Sequence, residues 1–154
     1  MTVAELGLLG LFLVHVFTGL LLFLQNLKAR PQRYAVDRSA GGRTVGSRTM
    51  PYTGIAILLF IIYHLMNFHF VDKSHTTIFA IVSGTFANPV QMILYIAAMV
   101  VVAVHVSHGF WSLFQTFGAN HPKYMPVIMA GGTGLAVIFV VGFGFIPVYI
   151  ALSV

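Results

Sequence analysis

The chain has 154 residues, of which 58% are hydrophobic and only 7% charged, against roughly 25% charged residues in an ordinary soluble domain. So few charges cannot cover a water-facing surface, and the composition alone specifies an integral membrane protein. The absence of cysteine excludes disulfides, thiolate metal sites and iron–sulfur ligation within the chain. The net charge of +5 does not point to nucleic acid, because Lys28, Arg30, Arg33, Arg38, Arg43 and Arg48 lie in one loop, opposed there only by Asp37. A loop this basic between two hydrophobic segments carries the positive-inside signal and is assigned to the cytoplasmic face.

Four apolar segments follow in chain order, and the predicted fold class is an all-α, polytopic membrane helical bundle forming a single domain over residues 1–154. The first segment runs from about Leu6 to Leu24. It has no basic residue before it, a histidine inside it and the basic loop after it, so it is read as a span and not as a cleaved signal peptide. The second runs from about Pro51 to Phe70, with Pro51 placed as for a first helical turn. Val71 to Asn88 then forms an outer loop holding one lysine. The third span starts near Pro89 and reaches about Phe117, and the fourth covers about Met125 to Ala151. This places the amino terminus outside and the short Gly118 to Lys123 turn inside. The glycines of the fourth segment, Gly131, Gly132, Gly134, Gly142 and Gly144, are read as close-packing positions, in a helix without histidine or charge.

The chemistry concentrates in the third segment, in VAVHVSHGFWSLFQTFG. As a helix it sets His105, His108, Gly109, Ser112 and Gln115 on one stripe. A polar stripe within a membrane must face protein, cofactor or water. Of the seven histidines, His69, His75 and His121 fall at helix ends or in loops and read as solvated or headgroup-facing. Four fall inside spans: His15, His64, His105 and His108.

Depth separates these four. His15 lies ten residues before Gln25 and His105 ten before Gln115, so each is roughly 15 Å from the cytoplasmic end of its helix. His64, thirteen residues after Pro51, lies roughly 20 Å from that edge, in the outer half of a ~30 Å core. Two level histidines on different helices are what a bis-imidazole haem requires. Glycine beside each of them, Gly19 and Gly109, leaves room for a macrocycle. Haem propionates would be held by arginines of the basic loop, Arg30 and Arg48 among them. A six-coordinate iron has no vacant position for oxygen, which points to electron transfer. No other helix offers a histidine at the height of His64, so it is either structural or ligates a second haem whose other ligand lies elsewhere. Zinc, which favours a compact four-ligand cage, is poorly served by histidines this far apart.

Three stretches, LFLVHVFTGLLLFLQNLKARPQRY, SRTMPYTGIAILLFIIYHL and VAVHVSHGFWSLFQTFG, together resemble the cytochrome b membrane anchor of succinate:quinone oxidoreductases, the five-helix diheme type of succinate dehydrogenases and fumarate reductases. The resemblance implies that His15 and His105 ligate the haem b nearer the cytoplasm and that His64 is one ligand of an outer haem. The fourth ligand would come from a helix preceding the one that begins here, which implies a full chain starting inside. It further implies a flavoprotein and an iron–sulfur protein docked on the cytoplasmic face, a membrane quinone as electron partner, dicarboxylate chemistry on the partner subunits, and residence in the bacterial cytoplasmic membrane.

Ser112, Gln115 and His108 are candidates to hydrogen-bond a quinone carbonyl, with helix capping, packing or propionate contacts as the alternatives. The only acids, Glu5, Asp37 and Asp72, lie near span ends or in a loop, so no transmembrane relay of buried carboxylates is visible. Two other readings stand beside the haem anchor. One is a haem-free tether for soluble subunits. The other is a cytochrome b of another electron-transfer chain.

Overall fold

The computed structural model describes residues 2–29 and 44–153. Every regular element among them is helical: α1 (Val3–Ala29), α2 (Val45–Phe68), α3 (Ile78–Phe86), α4 (Pro89–Thr116), α5 (Met125–Val137), a π-helical stretch (Ile138–Phe143) and α6 (Gly144–Ser153). Four helical rods are long and apolar enough to cross a membrane: Val3–Ala29, Val45–Phe68, Pro89–Thr116 and Met125–Ser153. The protein is therefore an all-α, multi-pass membrane protein. It divides into two compact units, Met1–Pro51 and Tyr52–Val154.

In the first unit, α1 begins with a reciprocal cap. Thr2 Oγ1 accepts the Glu5 amide at 3.3 Å while the Thr2 amide donates to Glu5 Oε2 at 2.6 Å. One of the three acids is thus used at a helix N-terminus, where the dipole favours negative charge. At 27 residues, α1 is about 40 Å long and exceeds a ~30 Å hydrocarbon core. Its Thr18 hydroxyl donates to the Val14 carbonyl at 2.8 Å, which satisfies a polar side chain where lipid offers no partner.

The same unit contains the start of α2, and here the sequence expectation is corrected. Pro51 lies inside the helix. The start is set instead at Thr44, whose Oγ1 accepts the Ser47 amide at 3.1 Å while the Thr44 amide donates to Ser47 Oγ at 3.0 Å. This paired cap precedes Pro51 by two turns, and the proline costs the helix one bond to the Ser47 carbonyl.

In the second unit α4 is central. Its N-terminus is built by Asn88, whose side chain accepts the Val90 amide at 2.9 Å, with Pro89 following as the first helical residue. Its C-terminus is a Schellman turn. Gly118 takes φ +81°, its amide donates to the Gln115 carbonyl at 3.0 Å, and the Ala119 amide donates to the Phe114 carbonyl at 2.9 Å.

Helix α2 runs antiparallel to α4, with Thr53 against His105 and, toward the other end, Tyr63 donating to Gln91 and Asn67 donating to Tyr95 at 3.1 Å. On the other side, α5 also runs antiparallel to α4. A Cβ at Gly132 would stand 2.7 Å from the Ser107 carbonyl oxygen, and one at Gly131 would stand 3.1 Å from the Phe110 ring. Of the five glycines read as close-packing positions, Gly131 and Gly132 meet α4 closely, Gly144 is in ordinary contact with Met99, Gly142 approaches only Ile138 of its own rod, and Gly134 has no atom within 4 Å.

Two further departures concern loop and rod. The stretch expected as an outer loop contains α3, capped by Thr77 Oγ1 accepting the Ala80 amide at 3.2 Å and packed on α4 and α6. Before it, the Ser74 hydroxyl and amide donate to Asp72 at 2.7 and 2.9 Å and hold that carboxyl below the usual carboxylate range. The fourth rod is interrupted by the π-helical stretch. Pro147 has no N–H for the Phe143 carbonyl four residues back, and its ring crowds that carbonyl. A widened turn ending at Phe143 accommodates both faults.

Candidate functional site

His105 lies within α4 and meets α2 at the Thr53–Gly54 pair. Its Nδ1 is 3.0 Å from Thr53 Oγ1, and a Cβ added at Gly54 would come 3.3 Å from its Cε1. A hydrogen bond at Nδ1 and a missing side chain beside the adjoining Cε1 therefore set the ring's position. Ser107, two residues on and so on the opposite side of the helix, faces α5. The half-buried His105 thus belongs to the α2 side of α4.

His64 is not brought to this level. It lies eleven residues beyond Thr53 on α2, roughly 16 Å along the axis. There its ring lies 5.2 Å from Phe68 and 5.9 Å from both Phe60 and Tyr95. Tyr95, 5% exposed, is the hub of this cluster, with Phe60 and Phe86 edge-on to it at 5.1 Å. Between the two histidine levels, an apolar pocket of about 330 Å³ opens between α2 and α4, walled by Ala56, Phe60, Tyr63, Ala97, Ala98 and Val101.

The other candidates are spread along the elements. His15 falls near the middle of α1, in the first unit, where Thr18 Oγ1 also lies 3.1 Å from its carbonyl oxygen. Arg48 is exposed in the first turns of α2, and Arg30 lies outside the described residues. His108 packs perpendicular to Trp111 at 4.8 Å. Ser112 is half-buried, and its carbonyl accepts the Thr116 hydroxyl at 3.0 Å. Gln115 is exposed, with its carbonyl engaged in the Schellman turn. The potential quinone donors thus share the last turns of α4, on the loop side of His105.

Thr53, Gly54, Gln91 and Tyr95 escaped the sequence reading. The available signal was a Thr-Gly pair inside an apolar run, the same dipeptide that follows His15 as Thr18-Gly19. Among the described residues no three or more His, Asp or Glu side chains gather as a metal-ion cage. A bis-imidazole iron site uses two histidines and does not call for such a cage. The donor set at His105 fits a haem ligand: an imidazole, a hydrogen-bond partner at Nδ1, and no side chain opposite Cε1.

Fold and site together define a multi-pass helical membrane protein with an imidazole seated between two of its spans. Comparison with family models, curated proteins and solved structures returns no match to this chain.

Proposed function

We propose that the chain is a haem b-binding membrane anchor of a succinate:quinone oxidoreductase, with His15 and His105 as the residues that would hold the haem. In this role it carries electrons between a flavoprotein and iron–sulfur pair on the cytoplasmic face and a quinone in the membrane. The observation that carries the reading is the seat of His105, held at Nδ1 by Thr53 and given room by Gly54. An imidazole deep in a 28-residue apolar helix is costly in hydrocarbon and marks function. The equal depths of His15 and His105, counted from Gln25 and Gln115, and the motif resemblance supply the second ligand.

When bound, haem b supplies reversible one-electron transfer between ferric and ferrous iron. The chain's own residues would hold and insulate it. His105 and His15 offer ring nitrogens from two spans. The apolar pocket beginning one turn from His105, at Val101, offers walls suited to the hydrocarbon edge of a macrocycle. Arg48, in the first turns of α2, offers a cation to carboxylates at the cytoplasmic rim, and Arg30 and the basic residues that follow it in the sequence are proposed for the same role. Ser112, Gln115 and His108 offer hydrogen-bonding groups to a quinone carbonyl near the same rim. The membrane is the bacterial cytoplasmic membrane, with the basic loop inside.

The test is spectroscopic. Purified protein is expected to show low-spin haem absorption that is lost in His105→Ala and in His15→Ala. Absorption retained unchanged in His105→Ala rejects the ligand assignment. A protein without haem whose partners are released by changes in the basic loop is a tether and not an electron carrier.

A further inference from the structure

We propose that Thr53 is a positioning residue for the iron: its Oγ1 accepts the Nδ1–H of His105, which fixes the ring's tautomer and turns Nε2 into the ligating nitrogen. This rests on the reading of His105 as a haem ligand and deepens it.

A neutral imidazole carries one N–H, and whichever nitrogen finds an acceptor for it leaves its lone pair on the other. Thr53 Oγ1 lies 3.0 Å from Nδ1, within hydrogen-bond range. The depth of the site strengthens that bond. Both residues lie within apolar spans, where an N–H without an acceptor is penalised by desolvation. Gly54 adds the steric half of the device. With a Cβ there only 3.3 Å from Cε1, the ring could not keep its present setting without a shift, so α2 supplies acceptor and clearance from consecutive residues.

An acceptor on the far nitrogen raises the basicity of a metal-bound imidazole. A more basic axial ligand favours ferric over ferrous iron, so the Thr53 hydroxyl lowers the midpoint potential. The opposite donation, from the Thr53 hydroxyl to Nδ1, would put the ring hydrogen on Nε2 and close the ligating position. The two arrangements therefore differ in what they predict.

The experiment uses the purified full chain and compares Thr53→Val, Thr53→Ala and Thr53→Ser. Valine keeps the volume and removes the oxygen, alanine removes both, and serine keeps the oxygen. Three readouts are taken: the midpoint potential, the ferric electron paramagnetic resonance spectrum, and the affinity for added haem. Expected are a higher potential and a changed g-value spread in the valine and alanine proteins, an affinity for haem lower by about 10–100-fold, and recovery of all three in the serine protein. Haem present in every variant with unaltered potential and spectrum overturns the role of Thr53 and leaves His105 as ligand. Absence of haem from the unaltered protein overturns the ligand reading itself, and this inference with it.

Discussion

At position 54 an alanine would bring its Cβ within 3.3 Å of His105 Cε1, a separation at which the ring must yield by a few tenths of an ångström. Two effects of Gly54→Ala then act in opposite directions. Alanine in a helix interior is worth about 0.5–1 kcal/mol over glycine, so the haem-free protein is expected to melt no lower than the parent by circular dichroism in detergent. The displaced ring loses its alignment with Thr53, so haem titration of the same variant is expected to show weaker binding and a shifted Soret band. Stability and binding falling together would mean that Gly54 serves packing alone. The presence of His105 on a polar stripe was legible in the sequence, because i, i+3 and i+7 spacing follows from helical geometry. Its partner was not. Whether Thr53 or a neighbour meets that ring depends on the rotational setting of α2 against α4, which no single-helix periodicity encodes.

Among the elements, the number of spans could be read from apolar run lengths, since about 20 apolar residues are needed to cross ~30 Å. Their ends could not. Pro51 satisfies the rule for a first helical position, yet the Thr44–Ser47 cap starts the helix earlier. The cap was overlooked because serine stands where the usual signature has glutamate or glutamine. Helix α3 was missed for a different reason. Nine residues are too few for a span, although an 18-residue structureless connection in a compact bundle was itself a warning. The π-helical stretch shows only as a proline and two glycines, a pattern that serves a kink or a close contact equally well. The fourth rod supplies its own test. Gly132 meets the Ser107 carbonyl oxygen with only 2.7 Å available to a Cβ, whereas Gly134 has no atom within 4 Å. Gly132→Ala is expected to force α5 away from α4 and destabilise the protein by about 1–3 kcal/mol. Gly134→Ala should be neutral or slightly stabilising through helix propensity. Denaturant titration of both variants in one detergent checks the difference, and equal melting would mean that the α4–α5 approach is not tight.

For the whole molecule the proposed haem function makes a prediction about stoichiometry, and the placement of His64 bears on it. His64 stands roughly 16 Å from the level of Thr53 and His105 along α2, in a shell of Phe60, Phe68 and Tyr95 rings at 5.2–5.9 Å. Nearby, Tyr63 with Gln91 and Asn67 with Tyr95 tie α2 to α4. An imidazole packed among rings on a fastened helix pair has a structural role open to it without any metal. His105 differs, with a hydroxyl at Nδ1 and a clearance at Cε1. The expected result of a pyridine haemochrome assay on this chain is therefore one haem b per polypeptide, unchanged by His64→Ala and abolished by His105→Ala. Two haems per chain, with one lost in His64→Ala, would mean that His64 leaves its aromatic shell to ligate iron with a donor supplied from elsewhere. The two histidine levels would then form an electron path across the membrane, with the pocket between Val101 and Tyr63 lying along it.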